Sequence, residues 1–270
     1  MQTLICIHSS ASSPRQWDAL RERLHGRFEI VAPALHGSGP GRIGRWLGRA
    51  PLRADVDLAA DAIANAAEPV HLVGHSYGAS VALRAARQNP TRIRSVVAYE
   101  PVTFALLRDD PESISALTEI SRVASTLKHR LLRGELVAAA RGFVDYWGGD
   151  SAWESLSHPQ RHAITQRVPS VDANFDSLFV EQVTPADFFR FESPVLLLRG
   201  SRSRDPSRRV AQRLLESLPH VYLREMPGAG HLGPITHAKR FAELVARFLD
   251  RLELPEVRRL ERYDVLKLAA

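Results

Sequence analysis

Gly74-His75-Ser76-Tyr77-Gly78 directly follows the apolar run Val70-His71-Leu72-Val73 and opens a helical pattern over Ser76–Gln88. A strand-to-helix turn this tight would make side chains two before and two after the serine collide, hence the glycines. Such a turn lifts the Ser76 hydroxyl clear of a sheet and sets it at a helix N-terminus, where developing negative charge is favoured. A serine hydroxyl is a weak nucleophile until a base takes its proton. Of the 11 histidines, His231 has the right setting, Pro227-Gly228-Ala229-Gly230-His231, after a late strand and before a helix. A base within about 3 Å takes the serine proton and later protonates a leaving group. His75 is next to the nucleophile but points elsewhere from such a turn. His158 and His162 have a metal-binding spacing, yet no third ligand accompanies them and Pro159 lies between, so a solvated helix is the better reading and no metal is expected.

The elements that must position these groups are legible as alternating periodicities. Thr3–His8, Phe28–Ala32, Val70–Val73, Ile93–Tyr99, Val195–Arg199 and Val221–Arg224 read as short buried strands. Helical patterns separate them at Pro14–Leu24, Asp55–Ala67, Ser76–Gln88, Val210–Leu218 and Ala238–Leu252. The Asp residues at the start of Asp55–Ala67 suit the helix dipole. Strands alternating with helices imply βαβ units and a mostly parallel, doubly wound sheet of about six strands. Residues 102–192 lack the alternation and read as helices broken at Gly148-Gly149, Pro159, Pro169 and Pro185. The expected division is a core of 1–101 and 193–254, a helical cap of 102–192 inserted after the fourth strand, and a charged tail of 255–270. Gly39-Pro40-Gly41-Arg42-Ile43-Gly44 matches a dinucleotide fingerprint, but Pro40 argues against the required helix opening, and no cofactor is expected.

These segments resemble the α/β-hydrolase superfamily from the first strand to about residue 252. Val70 to Ala79 looks like its nucleophile elbow, and Pro227–His231 is similar to its catalytic-histidine loop. His8-Ser9-Ser10 through Trp17 resembles the region that supplies part of its oxyanion hole, with Ser9 replacing the usual glycine. The resemblance implies a fold lacking the N-terminal antiparallel hairpin and an order of Ser, acid, His. It assigns the oxyanion hole to the N–H of Tyr77 and one from Ser9 or Ser10. The family's usual acid position, three residues after Gly200, is Ser203 in this chain. Two carboxylates could replace it. Glu100 ends the buried strand before Pro101, where some relatives carry their acid. Asp205 lies two residues beyond Ser203, but Arg204, Arg208 and Arg209 surround it as surface partners. Glu100 is favoured and Asp205 is the alternative.

The implied activity is a cytoplasmic serine hydrolase cleaving a small carboxylic ester or related acyl bond, including a C–C bond, through an acyl-enzyme. The alternatives on such a fold are a lyase, a cofactor-free oxygenase, or a receptor-like binding member with little turnover. Composition narrows the partners. No apolar stretch spans a membrane, no secretory leader is visible, and the one cysteine, Cys6, cannot form an internal disulfide. The net charge of +6 arises from 36 basic residues against 30 acidic ones. It concentrates at Arg42, Arg45, Arg49 and Arg53 and between Arg199 and Arg213. Both stretches follow strands of a parallel sheet, the end where such folds bind ligands. The charge therefore suggests an anionic small-molecule substrate rather than nucleic acid. A monomer or homodimer is expected.

Overall fold

The computed structural model describes residues 1–38 and 51–253. The Gly39–Gly44 motif, Arg42, Arg45, Arg49 and the tail lie outside them. The elements run β1 (Gln2–Ile7), α1 (Asp18–Leu24), β2 (Phe28–Val31), α2 (Pro51–Asn65), β3 (Val70–His75), α3 (Tyr77–Gln88) and β4 (Ile93–Tyr99). Then come α4 (Ile114–Leu132), α5 (Leu136–Gly148), α6 (His158–Val180), β5 (Val195–Gly200), α7 (Asp205–Ser217), β6 (Val221–Met226), α8 (Gly233–Thr236) and α9 (Ala238–Leu252). The strands form one sheet in the order β2-β1-β3-β4-β5-β6, and every ladder is parallel.

Alternation along the strands builds two cores. Ile5, Ile7, Leu72, Val96 and Leu197 face α2, α3 and α7, while Leu4, Cys6, Val73, Val97 and Leu198 face α1 and α9. A sheet covered on both faces explains why its strands read as continuous apolar runs. Trp17 packs in the second core, 5.8 Å from the Phe241 ring.

Strand order reverses between β1 and β3. The chain steps from β1 out to β2, returns to β3 on the other side, and continues to β6. A crevice opens at the carboxyl ends of strands where such a reversal occurs. Ser9-Ser10 and Ser76 follow those two strands.

The segment between β4 and β5 carries α4, α5 and α6. Their buried residues, among them Ala116, Ile120, Trp147 and Phe175, belong to the same apolar cluster as Ile7 and Leu72. Two expectations need correcting. Pro169 does not break a helix: α6 runs through it, because Val168, Val171, Phe175 and Leu178 bury one face on both sides, which outweighs a proline penalty of about 3 kcal/mol. Asp55 is not a first-turn residue at a helix mouth, because α2 begins at Pro51 and turns Asp55 into the core, fully buried. Pro159 instead sits in the first turn of α6, behind a Ser157–Gln160 capping box.

The elbow depends on the first turn of α3 lying against β1. A Cβ on Gly78 would stand 2.2 Å from the Ile7 carbonyl oxygen and 2.4 Å from that of His8, and one on Gly74 would stand 2.5 Å from Ala79 Cα. These are backbone atoms, which cannot move aside like a side chain. Gly78→Ala should destabilise the fold by about 3 kcal/mol, lowering Tm by roughly 6–12 °C. A Tm within one degree of wild type in a calorimetric scan would contradict that packing.

Candidate active site

Three strand ends and one loop converge on Ser76. The residue has φ 56° and ψ −121°, a left-handed backbone that costs a non-glycine residue about 1–3 kcal/mol and persists only where the surroundings enforce it. Its N–H donates to the Tyr99 carbonyl at 2.9 Å. Glu100, at the end of the adjacent strand, also has positive φ, 42°, and its N–H is held by the Leu198 carbonyl at 2.9 Å. His231 arrives from the loop after β6, where Tyr99 Oη donates to the Gly230 carbonyl at 2.7 Å.

The side chains form a continuous relay. Ser76 Oγ donates to His231 Nε2 at 2.8 Å, and His231 Nδ1 donates to Glu100 Oε2 at 2.7 Å. The other carboxylate oxygen accepts from the Gly200 N–H at 2.9 Å and lies in hydrogen-bond contact with Ser203 Oγ. Burial pushes the Glu100 carboxyl up, but His231, Ser203 and the Gly200 amide outweigh it and hold the group below the usual carboxylate range. Glu100 is therefore an ionised carboxylate with no exposed surface. Asp205 stands elsewhere, at the start of α7, where it pairs with Arg208 at 3.4 Å. Ser203, at the position the family usually gives to its acid, here donates its hydroxyl to the Glu100 carboxylate.

Of the N–H groups expected to face a developing oxyanion, Tyr77 sits first in α3 and has no intrahelical acceptor. The Ser10 N–H also finds none among the described residues. Ser9 does not qualify, because its N–H is spent on Gln16 Oε1 at 3.2 Å, as is its hydroxyl at 3.0 Å. Tyr77 and Ser10 are each pinned through their side chains. Tyr77 Oη donates to buried Asp55 at 2.8 Å, and Asn174 Nδ2, from α6, donates to Ser10 Oγ at 2.8 Å.

His75 does point away from the nucleophile, into a second network. Its Nδ1 accepts from Gln16 Nε2 at 3.1 Å and its Nε2 donates to the His231 carbonyl at 2.8 Å. Gln16 and His75 thereby connect the β1 loop to the backbone of the base. Burial, reinforced by the neighbouring His231, pushes the His75 pKa down to about 3, and burial lowers His8 to about 4. Both stay neutral and hold fixed tautomers.

The roof is aromatic. Trp147, from α5, stacks on the His231 ring with centroids 3.8 Å apart and planes 27° apart. With Phe104, Phe143, Phe175 and Val171 it lines a narrow, half-open recess of about 20 Å³ beside Ser76, little more than one water molecule fills. No charged side chain lines this cavity among the described residues. Four arginines of the Arg199–Arg213 stretch pair away from this cavity: Arg199 with Glu225, Arg208 with Asp205, Arg209 with Glu112 and Arg213 with Glu216. Arg204 lies on the Tyr146 ring. A larger cleft of about 450 Å³ shares no residue with this cavity; within its lining Arg84 pairs with Glu181 and Arg87 with Asp187. His158 and His162 are exposed on the first turns of α6, and no group of three metal-binding side chains occurs among the described residues.

Sequence reasoning missed Gln16, Asp55 and Asn174. Each acts by reaching a residue far along the chain, and none carries a local motif.

A strained serine on a strand-to-helix turn, hydrogen-bonded to His231 and through it to a buried carboxylate, lies at the switch point of a doubly wound α/β sheet. The chain belongs to the alpha/beta hydrolase family, whose model matches residues 4–244. It is 26% identical over 251 residues to N-formylmaleamate deformylase of Pseudomonas putida, covering 92% of this chain and 88% of that one. Among solved structures it resembles MenH from S. aureus, with TM-score 0.71, 15% identity and coverage of 94% and 95% of the two chains. It also resembles a thermophilic esterase from Thermogutta terrifontis, with TM-score 0.69, 21% identity and coverage of 94% and 91%. No helix among the described residues is long and apolar enough to cross a membrane.

The two carboxylates make opposite predictions. Glu100→Gln should lower kcat by roughly 10⁴-fold, whereas Asp205→Asn should stay within about twofold of wild type. Equal, mild effects in steady-state kinetics would remove Glu100 from the relay.

The neutral histidines set an acid limit on stability. The unfolded chain takes up protons on His8 and His75 below the ordinary histidine value of 6.5, while the native state refuses them down to about 4 and 3. The unfolded state thus binds more protons in that window, and stability falls as pH falls. Between pH 7 and 5 these two, together with His71, which burial lowers to about 4 in the same way, should lose about 5–6 kcal/mol. Urea unfolding at pH 7 and pH 5 measures it, and His75→Gln should remove about a third of the loss.

Proposed function

We propose that the protein is a serine hydrolase acting on a carboxylic ester or amide. The observation that carries this reading is the unbroken hydrogen-bond relay from Ser76 through His231 to Glu100. Ser76 Oγ attacks the acyl carbon as its proton passes to His231 Nε2. The carbonyl oxygen becomes an anion facing the Tyr77 and Ser10 N–H groups, each worth about 10²–10³ in turnover. Glu100 stays ionised and stabilises the imidazolium, and the face of Trp147 adds a further attraction for that cation. His231 then protonates the departing alkoxide or amine, leaving Ser76 acylated. Water, deprotonated by His231, attacks the acyl carbon and releases the acid, and the proton returns to Ser76.

An uncharged cavity favours a neutral acyl group over an anionic one. The deformylase relative, named for removing a formyl group from N-formylmaleamate, supports extending the range from esters to amides.

A fluorophosphonate probe should label the wild-type protein at Ser76 and leave Ser76→Ala unlabelled, with ester turnover in that variant down by roughly 10⁶-fold. Equal labelling of the two proteins would refute a serine nucleophile at this position.

A further inference from the structure

The recess beside Ser76, about 20 Å³, is far below the 300–1,000 Å³ or so typical of small-molecule sites. A substrate must displace part of its wall. Most of the aromatic wall is locked. Phe104 and Phe175 are fully or nearly buried and stack on each other and on Phe179. Trp147 is buried between His231 and Tyr146. Phe143 differs: it is half-buried and makes no ring contact among the described residues.

Phe143 also has a second side. It lines a groove of about 310 Å³ between α4 and α5, floored by Val123, Leu127 and Ala139, with Arg122 and Arg130 at the rim. Tyr146 Oη donates to Glu119 at 2.8 Å and ties the two helices together beside it. Phe143 is thus the shared wall of a cavity too small for a substrate and a groove large enough for one. A phenylalanine with one solvent-facing side and no stacking partner changes rotamer at little cost, and rotation would join the two spaces.

We infer that Phe143 is a gate and that the α4–α5 groove is a subsite for the hydrocarbon chain of the acyl group, an assignment that rests on the serine-hydrolase reading above. The acyl side is assigned because Trp147 covers His231, beside which the leaving group departs. Phe143 lies one helical turn earlier on α5, away from that exit. The substrate class narrows to neutral acyl groups bearing an apolar extension of several carbons.

The test compares p-nitrophenyl acetate with p-nitrophenyl hexanoate, and acetate with hexanoate as free acids in calorimetric titration. Wild type should prefer hexanoate by at least about tenfold in kcat/KM and bind hexanoate more tightly than acetate. Thr126→Trp, which fills the groove from an exposed position of α4, should cut the hexanoate-to-acetate ratio at least about tenfold in both measurements. Phe143→Ala should raise it. Ester turnover with the same ratio in all three proteins would overturn the subsite. A chain-length preference that appears only when the alcohol is lengthened would overturn its acyl assignment. If no ester is turned over while Thr126→Trp still abolishes hexanoate binding, the groove stands and the hydrolase reading falls.

Discussion

Much of this molecule is arranged around a carboxylate that water does not reach. Removing Glu100 from solvent carries a desolvation cost of several kcal/mol, and only good geometry repays it. Repayment comes from three directions: His231 Nδ1 at 2.7 Å, the Gly200 N–H at 2.9 Å, and the Ser203 hydroxyl. Each source fixes a different element. Gly200 must end β5 beside β4, the Gly228–His231 loop must fold back over the sheet, and the Glu100 backbone must adopt a left-handed turn. The carboxylate in turn holds the imidazole in the tautomer that leaves Nε2 free to accept from Ser76. Its charge is the reason a strained and costly arrangement persists.

The same economy governs the loop after β1 and the first turn of α3. Free N–H groups are useful only if they are held still, and each here is anchored through its own side chain. Buried Asp55 receives the Tyr77 hydroxyl, and Asn174 reaches from α6 to Ser10. Because Asn174 and Trp147 come from the segment after β4, the roof also organises the machinery beneath it. The apolar cluster shared by that segment and the sheet makes the two parts energetically continuous.

What the sequence made legible were the features with local causes. Alternation of apolar runs, the paired glycines around Ser76, and a Glu-Pro step closing a buried strand each carry their reason within a few residues. The six strands, the elbow and the preference for Glu100 follow from those. Asp55 was misread because the helix was started at Asp55 itself, although Pro51 suits a first helical position four residues earlier, so an inward-facing carboxylate looked like a dipole partner. Pro169 was misread because a penalty of a few kcal/mol is visible locally, while the burial that outweighs it comes from distant helices. The arginines were the hardest case. Arg209 and Arg213 look unopposed between Arg199 and Arg213, yet Arg209 meets Glu112, 97 residues away, and Arg213 meets the more local Glu216. Ionic partners set by tertiary structure leave no periodicity to read.

The placement of Glu100 has a bearing on how this scaffold could be rebuilt. When the acid sits after the fifth strand, the segment over the site can be cut out and replaced without touching the relay. Here the chain leaves the sheet immediately after the acid, and Val102, two residues on, already lines the cavity. Val102 N–H is moored to Ser80 Oγ at 3.1 Å and Thr103 Oγ1 to the same oxygen at 3.1 Å. The mooring shields the carboxylate from movement transmitted down the inserted segment. A chimaera that exchanges the helical roof would have to splice beyond Thr103 and keep Ser80, or the graft would pull on the acid itself.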